Sequence, residues 1–261
     1  MKNDEILYAV AHKIATITFN RPEARNAFGD TTRDRLEALL IEAESDEDVR
    51  CVIITGAGSA FAAGGDVKGM GELQTSDDTE VLVTRMQVAA RVVLFIRAMK
   101  TPVIAAINGA AAGGALNLAL ACDIRYASES AIFSQSFVKI GLVPDWGGHH
   151  LLTQIVGAGR AMELMMLGEV IDSTAALRLG MVNDVFPSAT FREQVLSRAQ
   201  KLAAGPRDAL AAIKQGVYAG CSESLADILA FEEATQVTAF LSDDAREGVR
   251  AFIEKRAPNF K

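Results

Sequence analysis

Residues 108–114 read NGAAAGG and follow directly on the apolar run 103–107, VIAAI. A second stretch of the same design, residues 61–66, reads FAAGGD. Glycine permits backbone dihedrals and close approaches that other residues forbid, so turns of this kind can direct bare N–H groups at a ligand. If a helix begins at each turn, its first N–H groups lack a partner inside the helix, and the helix dipole adds positive potential. Two such N–H groups that converge on one oxygen would form an oxyanion hole.

Each turn taken alone has two other interpretations. The glycines can simply allow a tight connection from a strand to a helix. A phosphate-binding loop is the second alternative, but neither segment matches GxxxxGK[ST] or GxGxxG,. A nucleotide-binding fold is therefore not favoured.

The pattern of the remaining chain predicts an α/β fold. Strands are predicted at 6–10, 14–19, 49–55, 103–107, 124–127, 131–133 and 182–186, the first two as a hairpin. Helices are predicted around 36–43 and at 78–99, 148–156, 160–167, 173–179, 191–204, 206–219 and 225–254, and 71–79 reads as flexible. No linker separates these parts, so we expect one core over residues 1–200 and a C-terminal helical region over 201–261 that packs on neighbouring subunits.

Composition narrows the class of protein. The chain has 261 residues, a formal net charge of −7 and no apolar run near the length of a membrane span,. The acidic balance argues against nucleic acid as a partner, and the N-terminus lacks signal-peptide features, so we expect a cytoplasmic protein. Cys51, Cys122 and Cys221 are widely spaced and are interpreted as reduced thiols,.

Several motifs, in this order and spacing, resemble the crotonase (enoyl-CoA hydratase/isomerase) superfamily, and most closely its epoxyphenylacetyl-CoA and enoyl-CoA isomerase branch. One motif alone would be weak evidence, but the ordered set covers nearly the whole chain. The motifs are NRP at 20–22, RNA at 25–27, FAAGGD at 61–66, AING at 106–109 with GG at 113–114, ACDI at 121–124, GLVP at 141–144, GG at 147–148 and AMEL at 161–164.

The resemblance implies a ββα spiral core, a homotrimer or dimer of trimers, and an acyl-CoA thioester as substrate with no other cofactor and no metal. Backbone N–H groups of Gly65 and Gly114 would hold the thioester carbonyl, which makes the alpha-proton acidic and an enolate accessible. Such a donor is typically worth about 3 kcal/mol in the transition state. The implied coenzyme A contacts are Ala63, Gly65, Asp66 and Val67 in the first loop, Arg25 and Lys68 for phosphates, and more weakly Lys255. Each basic residue has the alternative of a solvated surface charge.

Two departures from the family pattern indicate the chemistry. The family's hydratases use two glutamates on one water, and the matching positions here hold Asn117 and Phe137. Neither side chain exchanges a proton at neutral pH, so this pair cannot hydrate a double bond. Asp145, in VPDWGG at 143–148, matches an aspartate of several isomerases of the superfamily. The resemblance implies that Asp145 moves a proton between carbons of the enolate.

The surroundings of Asp145 predict its ionisation. Enclosed beside Trp146 and Phe137, the carboxyl should lose hydration, which raises its pKa towards the range useful for proton transfer. The alternative is that Asp145 caps the helix that follows. We expect Asn117, one turn into the helix predicted to begin at Gly114, to face the same pocket and to orient substrate or hydrogen-bond Asp145, with core packing as the alternative.

The sequence therefore predicts an acyl-CoA isomerase. An enoyl-CoA hydratase with atypical acid and base residues is the alternative, and a non-catalytic acyl-CoA- or RNA-binding protein is the alternative from another class. Dehalogenation by this superfamily relies on a histidine in the helix before the second turn, and residues 84–99 contain none. The adjacent His149 and His150 lack further candidate ligands, so no metal site is predicted.

Overall fold

In a computed structural model of the chain, residues 4–76 and 79–260 are described, apart from the side chains of Lys68 and Ser76. The strands are β1 Ile6–Ala11, β2 Ile14–Phe19, β3 Cys51–Gly56, β4 Ala60–Ala62, β5 Val103–Ile107, β6 Ala110–Ala112, β7 Ile124–Ser128, β8 Ile132–Ser134, β9 Val170–Asp172 and β10 Asp184–Phe186. The helices are α1 Thr32–Ser45, α2 Val67–Ser76, α3 Thr79–Ala98, α4 Gly114–Ala121, α5 Gly148–Val156, α6 Ala158–Leu167, α7 Ser173–Arg178, α8 Phe191–Ala203, α9 Arg207–Ala219, α10 Leu225–Phe240 and α11 Asp243–Glu254. Short 3₁₀ helices lie at Pro22–Ala24 and Ser136–Ile140.

Paired strands repeat along the chain. In β3–β4, β5–β6 and β7–β8, the first strand of each pair joins a six-stranded sheet of order β1-β2-β3-β5-β7-β10, and the second joins a four-stranded sheet of order β4-β6-β8-β9. After the first two pairs the chain enters a helix, α2 or α4. Pairing is parallel except in β1–β2 and β8–β9. This arrangement confirms the predicted α/β class with ββα repeats.

Side chains of the central strands alternate between two cores. Val52 and Ile54 of β3 enter the larger core, which α1, α3 and α4 complete. Cys51 and Ile53 of the same strand enter a smaller core closed by α8. Because a parallel strand covered on both faces must be apolar on both, such strands read as continuous hydrophobic runs. β5 follows this rule, since all five of its residues are buried.

Most predicted elements are present, including the hairpin β1–β2, but one predicted helix is divided and some bounds differ. The single helix predicted over 225–254 is two helices, because the Ser242 hydroxyl accepts a hydrogen bond from Ala245 N–H at 3.1 Å and caps α11,. The segment 71–79, predicted as flexible, is helical as far as Ser76, and its flexibility stays a prediction. The strands predicted from residues 49 and 182 each begin two residues later, at Cys51 and Asp184. Residues 77 and 78 of that flexible segment lie outside the described part. Among the described residues, no helix is long and apolar enough to cross a membrane.

The Asp123 carboxylate fastens α9 to the central sheet. It accepts hydrogen bonds from Val103 N–H at 2.7 Å and from the Tyr218 hydroxyl, and it pairs with Lys214 Nζ at 2.9 Å. Lys214 Nζ also donates to Thr101 O at 3.2 Å. The ion pair is nearly sealed from water, with the side chains only 7% and 13% exposed. A buried carboxylate therefore depends on the C-terminal region for its cation.

Replacing Lys214 with Met should lower the free energy of unfolding by about 2–4 kcal/mol, because a buried carboxylate loses its partner. Urea denaturation at one fixed protein concentration measures this loss. The matched control is Arg91→Met, which breaks an exposed pair with Glu37 and should cost under about 0.5 kcal/mol,. Equal effects of the two substitutions would show that the buried pair contributes no more than a surface one.

Candidate active site

The two glycine turns are brought together by strand pairing. β4 and β6 are parallel neighbours, with Ala60 opposite Ala110 and Ala62 opposite Ala111. Each strand is followed by its glycine turn and then by a helix, α2 from Val67 and α4 from Gly114. Because parallel strands end at the same edge of a sheet, both helix N-termini lie at that edge, where α/β folds commonly bind ligands.

The turns touch each other through backbone atoms. A Cβ built on Gly64 would lie 2.7 Å from Ala112 O and 3.4 Å from Gly114 N, so a side chain at this position would force the turns apart. Gly64 also has a φ of +86° and Gly113 a φ of +53°, a region that disfavours side chains,. Glycine is therefore required at both contacts.

The two predicted oxyanion donors lie next to these contacts. Gly114 is the first residue of α4, and Gly65 forms a parallel bridge with Phe28, beside the hydrogen bond from Phe28 N–H to Gly64 O at 2.7 Å. Within the described ranges, neither the Gly65 nor the Gly114 amide donates a hydrogen bond. Two bare N–H groups on contacting turns are what a carbonyl oxygen needs as it gains negative charge.

The first loop is held by the segment that contains Arg25. Ala63 N–H donates to Arg25 O at 2.9 Å, while the Arg25 side chain is exposed. The buried Asn26 Nδ2 donates to Ala60 O at 2.8 Å and to Ala57 O at 2.9 Å. Asn26 was not predicted as a site residue, although the RNA motif at 25–27 contains it. Its amide fixes the loop through backbone contacts that no sequence pattern shows.

The other predicted coenzyme A contacts differ in their exposure and in their position along the chain. Asp66 pairs with Arg21 at 3.2 Å, and Val67 is exposed at the start of α2. Lys68 follows in the same helix, but its side chain lies outside the described part. Lys255 is exposed at the end of α11 with a φ of +54°. Ala63, Asp66, Val67 and Lys68 thus lie on one loop and helix start, and Lys255 belongs to a different region of the chain.

Asp145 lies against the second turn. A Cβ on Gly114 would approach Asp145 Oδ1 to 3.2 Å and Trp146 Cδ1 to 2.7 Å. Asp145 Oδ1 is buried and has no hydrogen-bond partner among the described residues. Trp146 is buried with a φ of +50°, and its ring packs on Phe28 at 5.3 Å. An unpaired carboxylate oxygen therefore stands beside one of the two bare amides.

Burial raises the pKa of the Asp145 carboxyl from an ordinary 3.8 to about 6, while the positive charge of Arg33 and a backbone hydrogen bond act in the opposite direction. A carboxyl with this pKa gains and loses a proton near neutral pH, as acid–base catalysis requires. The alternative role as a helix cap is not observed, because Gly147 occupies the cap position of α5 and no side chain bonds there.

Comparison with known proteins agrees with this geometry. The family model for enoyl-CoA hydratase/isomerase matches residues 10–261. The chain belongs to the enoyl-CoA hydratase/isomerase family. A Rhodobacter capsulatus protein named "Probable enoyl-CoA hydratase" is 39% identical over 100% of this chain and 99% of its own. The 1,2-epoxyphenylacetyl-CoA isomerase of Escherichia coli is 36% identical over 98% and 97%. A crystal structure of an enoyl-CoA hydratase from Polaromonas sp. JS666 covers 98% of this chain and 99% of its own, with a TM-score of 0.94 at 34% identity.

In this enoyl-CoA hydratase/isomerase family member, Asn117 forms a hydrogen bond to Asp145, which was one of the expected contacts, and the bond goes to the main chain. Asn117 Nδ2 donates to the main-chain carbonyl of Asp145 at 2.8 Å, and Asn117 Oδ1 accepts from Gln135 Nε2 at 2.7 Å. The side chain is fully buried, in agreement with the alternative of core packing. Phe137 packs against Gly113, where a Cβ would meet its ring at 3.6 Å. Asn117 therefore holds the loop that carries the carboxylate.

A cavity of about 220 Å³ lies beside the first turn. Phe28, Gly29, Arg33, Met70 and Arg85 are among its lining residues, and Met70 Cε also covers Gly65, where a Cβ would come within 2.1 Å of it. Arg33 and Arg85 were not predicted to line a cavity, because both lie in helices without a motif.

Among the described residues, neither a cluster of metal ligands nor a reactive buried thiol is present. No group of three or more His, Cys, Asp or Glu residues there is arranged to hold a metal ion. All three cysteines are free, as predicted, and burial raises the pKa of the Cys51 and Cys122 thiols to about 12. These thiols stay protonated at neutral pH, so neither serves as a nucleophile.

Alanine substitutions at Gly114 and Gly65 should differ in their effect on stability. The added methyl group meets the packed Trp146 indole at Gly114 but only the flexible end of Met70 at Gly65. Gly114→Ala should lower the free energy of unfolding by about 1–3 kcal/mol and shift the fluorescence of Trp146, the sole tryptophan, because the new methyl group presses on the indole,. Gly65→Ala meets only the flexible end of Met70 and should cost under about 1 kcal/mol,. Urea denaturation and emission spectra measure both, and equal costs would contradict the packing at Gly114.

Replacing Asp145 with Asn should stabilise the fold at alkaline pH. Because the folded-state pKa of Asp145 is near 6 and the ordinary value is 3.8, ionisation of this carboxyl lowers the free energy of unfolding,. This destabilisation is absent below about pH 4 and complete above about pH 6. We expect Asp145→Asn to raise the free energy of unfolding by about 1–3 kcal/mol near pH 8 and to leave it unchanged near pH 4. Urea curves of both proteins across this pH range measure the difference, and a constant difference would exclude the raised pKa.

Proposed function

We propose that the protein is an acyl-CoA isomerase that moves a double bond, or rearranges an unsaturated or epoxidised acyl group, through a thioester enolate. The observation that carries this proposal is the buried Asp145 Oδ1, unpartnered within the described residues, beside the bare amide of Gly114. Donors for an oxyanion and a base for a proton lie together, as an enolate intermediate requires.

In the proposed reaction the thioester oxygen accepts hydrogen bonds from Gly65 N–H and Gly114 N–H. The Asp145 carboxylate takes a proton from one carbon of the acyl group, the electron pair moves into the enolate, and the bound oxygen carries the negative charge. The same carboxyl then returns the proton to another carbon as the enolate collapses. No atom enters or leaves, so one titrating residue is sufficient.

Hydration of a double bond needs more catalytic groups than isomerisation does. Adding water to a double bond needs a base for the water and an acid for the carbon. At the two positions where the family's hydratases carry glutamates, Asn117 is locked into hydrogen bonds and Phe137 packs on a glycine. Enoyl-CoA hydration with atypical acid and base groups is the second candidate, because relatives as similar as the Rhodobacter capsulatus protein carry hydratase names.

The proposed substrate is an acyl-CoA thioester, with coenzyme A as part of the substrate and no further cofactor. Ala63, Asp66, Val67 and Lys68, with Arg25 nearby, are the proposed coenzyme A contacts, since Ala63 and Arg25 are joined by a hydrogen bond. We also propose a homotrimer or a dimer of trimers. Large apolar side chains on the C-terminal helices support it, including Phe240 at 71% and Phe252 at 86% exposure,.

Asp145→Asn should reduce turnover of the true acyl-CoA substrate by about 100- to 10,000-fold, because the proton has no acceptor. The affinity for the coenzyme A ester should stay within about threefold, since the amides that hold the oxygen are unchanged. A panel of acyl-CoA esters analysed by mass spectrometry identifies the substrate, and calorimetry measures affinity. Unchanged turnover would remove Asp145 from the mechanism.

Incubation with crotonyl-CoA separates the two candidate functions. An isomerase of this design should form little 3-hydroxyacyl product. Rapid hydration by the wild-type protein that persists in Phe137→Leu and Asn117→Ala would favour the hydratase, with acid and base groups outside the family's glutamate positions.

A further inference from the structure

Arg33 is a buried cation, and no anion among the described residues is in contact with it. Its residue is 6% exposed, and its only hydrogen bond among the described residues runs from Nη1 to Gly29 O at a long 3.4 Å. Nε is buried without a partner there. The neighbouring Arg21 and Arg85, in contrast, pair with carboxylates at 3.2 Å and 2.6 Å. A buried guanidinium with so few partners costs free energy, so a compensating interaction or a function is expected.

One aromatic layer connects Arg33 to the Asp145 loop. The guanidinium carbon lies 6.0 Å from the centroid of the Phe28 ring, and that ring packs at 5.3 Å on Trp146, the residue after Asp145. Asp145 Oδ1 is also buried and unpartnered within the described ranges. Two opposite charges thus lie near one ring pair, and the residues described show neither of them neutralised by a direct ion pair.

We propose that Arg33 is a positioning residue that acts through its charge, keeping Asp145 in the carboxylate form that can accept the substrate's proton. This inference rests on the proposed role of Asp145. Interactions between charges weaken less with distance where water is excluded, so contact is not needed. A direct bond would instead occupy the oxygen that must take the proton.

The charges around both groups support this assignment. Arg33 is the charged side chain that acts on the pKa of Asp145, and it lowers that pKa against the effect of burial. Arg33 itself faces Arg85 of α3, and the carboxylates of Asp30 and Asp34 near the start of α1. Without Arg33, burial would act nearly alone, and a larger share of Asp145 would be protonated at neutral pH.

Trp146 allows a test that needs no substrate. It is the only tryptophan, and a Cβ on Gly114 would touch both its ring and Asp145 Oδ1, so its fluorescence should report ionisation of Asp145. The wild-type emission should titrate with a midpoint near 6, and Asp145→Asn should abolish that step. Arg33→Met should move the midpoint to higher pH, and Arg33→Lys should restore it in part.

Kinetics provide the second measurement. In Arg33→Met, kcat near pH 6 should fall by roughly 3- to 10-fold while kcat near pH 9 and KM change by less than about twofold, because only the carboxylate fraction is altered. Arg85→Met is the matched control, since it removes a nearby positive charge that does not act on Asp145, and its midpoint should stay in place. Arg33→Gln removes the charge but keeps an N–H donor, and it serves if the Met variant does not fold.

The outcomes distinguish the two proposals. If the fluorescence midpoint stays in place in both Arg33→Met and Arg33→Gln, the proposed role of Arg33 is wrong. A rise in KM alone would also overturn that role and would assign Arg33 to substrate binding. If the midpoint moves in the Arg33 variants but Asp145→Asn keeps full turnover, the proposed function is wrong. The interaction between the charges of Arg33 and Asp145 would still hold. An equal movement in Arg85→Met also overturns the specific role of Arg33.

Discussion

The parallel pairing of β4 with β6 is the constraint on which the rest of the site depends. It places two strand ends side by side, and each is followed by a glycine turn and a helix. The Gly64 backbone approaches Ala112 and Gly114 so closely that no side chain fits between them. The helix dipoles and the bare N–H groups of both turns therefore act at one edge of the sheet. Without this pairing the same glycines would be two unrelated loops.

The second turn is completed from elsewhere in the chain. Trp146 covers Gly114, Phe28 supports Trp146, and Phe28 is itself tied to the first turn by its bridge to Gly65. Asn117, which accepts a hydrogen bond from Gln135, holds the backbone that carries Asp145. These contacts position a carboxylate oxygen without using it, so it stays available for a proton. The Asp145 loop is thus held in place, while Asp145 Oδ1 has no hydrogen-bond partner among the described residues.

The free energy of this site has the opposite sign to that of the Asp123 clamp. At Asp123 a buried carboxylate is paired with Lys214 and bonded to Tyr218 and the backbone, which stabilises the docking of α9. At Asp145 the charge of Arg33 and a backbone hydrogen bond offset burial only in part, and the pKa rises towards neutrality. A folded protein tolerates such a cost where function needs it, because the surrounding core supplies the remaining stability.

The sequence by itself determined the α/β class, the hairpin and the glycine turns, because local patterns and motif spacing carry that information. The choice of Asp145 came from the resemblance of its motif to a family pattern, and its role stays a prediction. The sequence also held the Ser242 cap that divides the last helix, although the continuing apolar pattern concealed it. Only the tertiary structure decided that Asn117 bonds a main-chain carbonyl and that the rings of Phe28 and Trp146 connect Arg33 to the Asp145 loop. Such contacts join residues far apart in the chain, and their distances follow from strand register and side-chain packing, which no local pattern encodes.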